Sequence, residues 1–157
     1  VAERKYAAGT TVTAEKSLAE ISELLSKHGV EERVAYQGKV ALAVGFAHAG
    51  LQYRVEIAIP PLSDFATDSK GFRVDAAKQL ALQAQETRRL LRSLVLVVKA
   101  KLTGVADGVT TFEKEFLTHI VTEGGQTFGD YALPRIRQAA IAGKIPSALP
   151  MPGEGNR

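Results

Sequence analysis

Between positions 33 and 59 the chain alternates apolar and polar or small residues. Val34 and Tyr36 sit among Arg33, Ala35 and Gln37. After "QGK", Val40, Leu42, Val44 and Phe46 interleave with Ala41, Ala43, Gly45 and Ala47. After "HAG", Leu51, Tyr53, Val55, Ile57 and Ile59 interleave with Gln52, Arg54, Glu56 and Ala58. A period of two is that of a strand with one buried face, and the short Gly-containing links predict antiparallel hairpins. The packed face of this three-stranded sheet is expected to carry Val40, Leu42, Val44, Tyr53, Val55 and Ile57. The other face is expected to show Gln37, Gln52, Arg54 and Glu56 beside a strip of Ala and Gly, with no aromatic on it.

On either side of this region the period changes to that of a helix. Leu18, Ile21, Leu24 and Leu25 predict a helix over about 14–28, with Thr13 as N-cap, Glu15 in the first turn and Gly29 as the stop. Downstream, a long amphipathic helix is expected over about 75–104, ended by Gly104 or by "ADG" at 106–108. A helix over about 111–122 follows, with Thr110 and Glu113 as a capping box and Phe112, Phe116, Leu117 and Ile120 turned inward. A last helix is expected over about 130–142. The segment "PPLSDFATDSKGFRVD" at 60–75 is long for a loop within a compact domain. The expected organisation is a flexible arm at 1–12 carrying Arg4 and Lys5, a single domain at 13–143, and a Pro/Gly-rich tail at 144–157. The fold class is α+β: an N-terminal helix, a three-stranded antiparallel sheet, then a helical C-terminal half whose long helix lays its Leu/Val face on the sheet.

At 157 residues the chain fits one domain that can bury a core without metal or disulfide support. It has no Cys, which excludes disulfides, thiolate nucleophiles and cysteine-ligated metals. Its longest apolar run, Leu94 to Val98, is far short of the roughly 18 residues of a membrane span. The stretch "VAERKYAAGTTVT" has no apolar h-region, so no secretory signal is expected and a cytoplasmic location is. A net charge of +3 permits an anionic partner without demanding one.

That charge is organised on the long helix. At about 100° per residue, with Arg88 at zero, Lys99 falls near 20°, Arg92 near 40°, Lys78 near 80° and Arg89 near 100°. Leu90, Leu91, Leu94, Val97, Val98 and Leu102 gather on the other side. Glu86, at about 160°, falls outside the stripe, so no carboxylate of this helix is expected to neutralise it. Three readings stand together. Arg and Lys are good helix formers on any solvated face, and their stems cover neighbouring apolar surface. Alternatively, the arginines pair within the fold with Glu113, Glu115 or Glu20. Or they form an anion-binding face, with nucleic-acid phosphate as the partner, since guanidinium matches phosphate bidentately. On this last reading Arg135 and Arg137 of the last helix extend the surface, and contact is to the backbone rather than by base stacking.

Catalytic signatures are lacking. His28, His48 and His119 are isolated, and Glu115 with His119 at i, i+4 is a single pair without a second ligand set. Glu113 and Glu115, two apart on a helix, point in different directions. Asp64 and Asp68 lie in the 60–75 loop, where a divalent cation is one reading and plain solvation another. Phosphate-binding glycine loops, a nucleophile elbow and a nuclease Glu-x-Lys pattern are missing. No cofactor, metal or catalytic residue is assigned.

Three stretches, "TTVTAEKSLAEISELLSKHG" at 10–29, "RSLVLVVKAKLTGVADGVTTFEKEFLTHIV" at 92–121 and "GKIPSALP" at 143–150, together resemble a family of small uncharacterised proteins of phages and prophages. The element that carries the resemblance is "KAKL", "V", "G", "TFEKEF" in order: Lys99–Leu102, Val105, Gly108 and Thr111–Phe116. The resemblance implies a viral or mobile-element origin and action in the host cytoplasm, and it brings no catalytic residues. The leading expectation is a non-enzymatic accessory protein that binds nucleic acid through Lys78, Arg88, Arg89, Arg92 and Lys99. The alternative is a protein-binding module, acting on a host protein or as a homo-oligomer. A metal-dependent enzyme using the 60–75 loop is the third.

Overall fold

In the computed structural model, residues 5–144 are described. Residues 1–4 of the expected arm, with Arg4, and 145–157 of the expected tail lie outside them. The chain forms α1 (Ala14–Lys27), then strands β1 (Arg33–Gln37), β2 (Ala41–His48) and β3 (Leu51–Ala58). The long helix α2 (Ala76–Ala106), the short α3 (Phe112–Phe116) and α4 (Phe128–Ile141) follow. This is the α+β order expected from the pattern. Thr13 caps α1 by accepting from the Lys16 amide, and Asp75 caps α2 by accepting from that of Lys78. Each thereby satisfies an amide that has no partner within its own helix.

The sheet has order β1-β2-β3 and is antiparallel throughout. The β2–β3 hairpin turns on Ala49 and Gly50, with φ of 49° and 78°, the left-handed pair that matches the strands' twist. One face carries Leu42, Val44, Phe46, Tyr53 and Val55. These pack with Leu18, Ile21 and Leu25 of α1 and Leu91, Val95, Val98 and Leu102 of α2 into one buried cluster. Phe112 and Phe116 close its end, with the Phe116 ring edge-on to Phe46 and Tyr53. The second layer is therefore shared by α1 and α2.

The register corrects the outer face. Pairing of Arg33 with Phe46 and of Gln37 with Leu42 sets Arg33, Ala35 and Gln37 on the inner side. Val34, opposite Gly45, and Tyr36, opposite Ala43, are outside. Gln37 is thus not an outer-face residue, and an aromatic does stand on that face. Val40 is not part of the packing face either. It belongs to the tight turn closed by the Gly38 amide on the Ala41 carbonyl and is 77% exposed.

The C-terminal half departs from its expected boundaries for reasons of capping. Thr111, not Thr110, is the N-cap of α3, accepting from the Lys114 amide. After Phe116 the helix tightens into a 3-10 turn, Leu117–His119. Ile120 then bridges to Tyr53, and the Val121 amide donates to the Gln52 carbonyl. The pull of the β3 edge ends the helix early and leaves Leu117 exposed. Gly104 does not stop α2, which continues to Ala106 before Gly108 takes a φ of 70°.

Candidate functional site

The seven cations singled out by the sequence fall into two groups. Arg88, Arg89 and Arg92 are half-buried in the middle of α2, whereas Lys78, Lys99, Arg135 and Arg137 are exposed. Arg89 makes a two-pronged ion pair with Glu86, Nε to Oε2 at 2.8 Å and Nη2 to Oε1 at 2.7 Å. The expectation that no carboxylate of the helix neutralises the stripe is therefore overturned. At i, i+3 the two side chains are neighbours on the helix surface, and angular separation on a wheel understates the reach of an arginine. Arg92 pairs with Glu20 of α1, one of the internal partners foreseen. Arg88 donates to the Gln85 side chain.

These contacts leave an electrostatic trace. The hydrogen bond from Arg89 holds the Glu86 carboxyl below its ordinary range, against the opposing effect of burial. Arg92 is held more firmly protonated by its hydrogen bond to Glu20. Residues of the N-terminal arm also cross this part of α2. Gln85 Nε2 donates to the carbonyls of Ala8 and Thr10, both at 3.1 Å, and Lys5 lies 3.7 Å from Glu86. The outer lysines, Lys78 and Lys99, are about 30 Å apart along the axis, at 1.5 Å per residue. On α4, Arg135 folds back over the Tyr131 ring at 3.8 Å and donates to the Tyr131 carbonyl. The structure does not gather the seven into one free patch.

Asp68 of the 60–75 loop is a local turn-maker. Asp68 Oδ1 accepts from the amides of Lys70 and Phe72, both at 2.9 Å. Among the described residues no group of three His, Asp or Glu side chains is arranged to hold a metal ion. His119 opens onto a cleft of about 250 Å³ with Arg54, Glu56, Thr118, Thr127 and Asp130. Its polar groups are engaged with one another. Arg54 pairs with Glu56 and donates to the Gly125 carbonyl, and Thr127 donates to Asp130. Burial, and Lys101 nearby, hold the His119 ring below its ordinary pKa. Glu115 is turned to Lys101 rather than to His119.

The sequence reading missed the relief of the outer sheet face. Three cross-strand rows define it: Val34–Gly45–Arg54, Tyr36–Ala43–Glu56, and Ala47 with Gln52. The central strand contributes only the small residues Ala41, Ala43, Gly45 and Ala47, while in the first two of these rows both flanking strands carry large side chains. The result is a furrow down β2. One groove of about 490 Å³ runs over Val34, Gly45, Ala47 and Gln52 with Glu31 and Glu32 at its end. A second, of about 320 Å³, runs over Val34, Tyr36, Ala43, Gly45, Arg54 and Glu56. The two share Val34 and Gly45 and are continuous. Val34 is 67% and Tyr36 57% exposed. The Tyr36 ring leans back over Gly38, where a Cβ would fall within 2.8 Å of three of its atoms, so Gly38 makes room for it. The signal in the sequence was the Ala-x-Gly-x-Ala spacing of β2, but only the register reveals which residues of β1 wall it.

Compared with protein-family models, with curated protein sequences and with solved structures, the chain gives no match to any of them.

Proposed function

We propose that this protein is a non-enzymatic protein-binding module whose recognition surface is the furrow on the outer sheet face. Its partner offers an amphipathic helix with an apolar face and a basic flank. The observation that carries this reading is that Val34 and Tyr36 stand exposed on the β1 side of that face, while α4 and the Leu117–His119 turn flank it on the β3 side, at Arg54 and Glu56. Two strand spacings separate the furrow's walls, roughly 10 Å, close to the 10–12 Å width of a helix with its side chains. Laying a helix into an apolar groove is a common recognition mode. Arg54 and Glu56 cancel one another, and the remaining charged lining, Glu31 and Glu32 with Arg33, leaves one net negative charge around the furrow, which favours a cationic flank over phosphate. The resemblance to small phage and prophage proteins agrees with an accessory role exerted by binding a host protein.

The test is selection of short random peptides on the immobilised protein, with Gly45→Leu as counter-screen. Gly45 lies open, an added Cβ there meeting the Tyr53 carbonyl at 3.8 Å, so a leucine fills the furrow. Enrichment of peptides with helical apolar spacing and Lys or Arg, lost on Gly45→Leu, is expected. No enrichment, or binding indifferent to Gly45→Leu, removes the reading.

A second reading, phosphate-backbone binding to nucleic acid, rests on Lys78, Lys99 and Arg137, which are exposed and in no ion pair among the described residues. A fluorescence-anisotropy titration against single- and double-stranded DNA and RNA at two salt concentrations tests it. Backbone binding weakens steeply with salt and is lost on Lys78→Glu with Lys99→Glu; unchanged affinity in that double variant excludes these lysines.

A further inference from the structure

β1 is an anomalous strand. Four of its five residues are exposed and the fifth is half-buried, although the sequence is Arg-Val-Ala-Tyr-Gln. Its outer edge pairs with nothing among the described residues, whereas the β3 edge is met by Ile120 and Val121. An open edge is a template for another strand. Proteins usually guard one with lysine, proline or a bulge, and none of these occurs within 33–37. The Arg33 guanidinium is turned back onto the carbonyls of Val30 and Glu31, so it does not guard the edge.

The ladder fixes which backbone groups are free. The Ala47 amide bonds to the Glu32 carbonyl and the Gly38 amide to the Ala41 carbonyl. Even-numbered residues of this stretch therefore face β2. In an antiparallel pair the outward groups belong to the alternate residues, here Arg33, Ala35 and Gln37.

We infer that β1 pairs with β1 of a second copy, antiparallel about a twofold axis at Ala35, to make one continuous six-stranded sheet. The strand is self-complementary in that register. Ala35 exchanges both backbone bonds with Ala35 of the second copy, and Arg33 does so with Gln37. Val34 comes to lie across from Tyr36 at a non-hydrogen-bonded position, where side chains approach most closely. Aromatic against β-branched is a favourable cross-strand pair, and these are the two large apolar side chains the strand leaves in water. Continued outward, the same register sets Glu31 alongside Lys39 of the second copy, twice by symmetry. Both are exposed and in no ion pair among the described residues. A single surface patch that meets itself with opposite charges at its two ends is what a twofold interface requires. The inference concerns the edge of β1 and goes beyond the furrow reading, which needs no second copy.

Sedimentation-velocity ultracentrifugation of the full chain, from about 1 to 100 μM so that mass action is visible, tests it. Three kinds of variant accompany the wild type. Ala35→Pro removes an amide that faces away from β2, so it spares the β1–β2 ladder, and circular dichroism checks that the fold is kept. Glu31→Lys and Lys39→Glu each replace two attractions with two repulsions, and the Glu31→Lys, Lys39→Glu double variant restores them. The expected result is a concentration-dependent dimer in the wild type, a monomer for Ala35→Pro, dimer dissociation raised about tenfold in each single charge variant, and recovery in the double variant. A wild type that stays monomeric throughout overturns the inference. So does a dimer that survives Ala35→Pro with its fold intact, or single charge variants that dimerise like the wild type. If Ala35→Pro fails to fold, the charge-swap series decides alone. Gly45→Leu is expected to dimerise normally, and a monomeric wild type that still selects peptides removes the self-pairing while leaving the furrow reading untouched.

Discussion

Replacing Glu20 with Gln separates a structural arginine from a binding one. The pair Arg92–Glu20 ties α2 to α1, and its members differ in exposure: 18% of the Arg92 side chain is accessible against 43% for Glu20. Removing the carboxylate leaves a largely enclosed guanidinium without its counter-charge. Removing the guanidinium leaves a carboxylate that water can reach. Exposed ion pairs contribute about 0.2–1 kcal/mol, and breaking a fully buried one costs about 3–5 kcal/mol. With Glu20 so accessible the pair belongs near the lower range. We expect Glu20→Gln to destabilise by about 1–1.5 kcal/mol, Arg92→Met, which keeps the apolar stem, by about 0.5 kcal/mol, and a coupling of about 1 kcal/mol between them.

Urea denaturation at pH 7, with all four members of the cycle measured together, resolves this. At a slope of about 2 kcal/mol per molar urea, the Glu20→Gln midpoint falls by roughly 0.5–0.75 M, and added salt narrows the gap. A coupling below about 0.3 kcal/mol, the ordinary error of additivity, refutes the reasoning. Arg92 would then be a free cation, and the stripe would regain its central residue as a phosphate ligand. A coupling of the expected size means that any anion must first displace Glu20, a handicap of about fivefold in affinity.

Three further outcomes follow from the core and from His119. Phe116→Ala opens the junction of α3 with the sheet and is expected to destabilise by about 3–5 kcal/mol, seen as loss of most of the urea midpoint; a cost under about 1 kcal/mol would mean the aromatic cluster is not a cooperative part of the core. Tyr53→Phe removes a hydroxyl that is buried with no hydrogen-bond partner among the described residues, so it is expected to be neutral or to stabilise by up to about 1 kcal/mol; a clear loss in thermal or urea stability would reveal a partner. The folded-state pKa of His119 lies below its ordinary 6.5, so between the two values the unfolded chain binds a proton that the folded chain does not. Its contribution is fully present above about pH 6.5 and lost as pH falls through the lowered folded value. The urea midpoint should therefore drop from pH 8 to pH 5 in the wild type and much less in His119→Gln; equal slopes would refute the assignment.

Element order, the Thr13 cap of α1 and the apolar face of β2 and β3 were legible because each is decided within a few residues. Thr13 lies one residue before Ala14, and Leu42, Val44 and Phe46 declare a strand by themselves. Periodicity alone could not say to which side a short strand turns. Val34 and Tyr36 read as inward because they are the apolar members of β1, yet the turn at 38–41 sets the register, and a shift of one residue exchanges the faces of a strand. Likewise Phe112 to Ile120 reads as one helix until the β3 edge competes for Ile120 and Val121.

The meaning of the arginines was illegible for a different reason. A helical wheel records direction and not company, and the company here comes from far along the chain: Glu20 stands 72 residues from Arg92, and Ala8 stands 77 from Gln85. Internal pairing was one of three readings of the stripe, and only tertiary contact distinguishes them. The converse holds for β1. Nothing in its composition marks it as a binding element; what does is that a five-residue strand with Val and Tyr at its heart remains in water on both faces and along one edge. Burial of apolar surface is the main driving term in folding, so a regular element left unburied by its own domain points to a partner. Charged groups already satisfied at home, as Arg89 and Arg92 are, have less to gain from one. The same physical test therefore favours the proposed surface on the open side of the sheet over the basic stripe of α2.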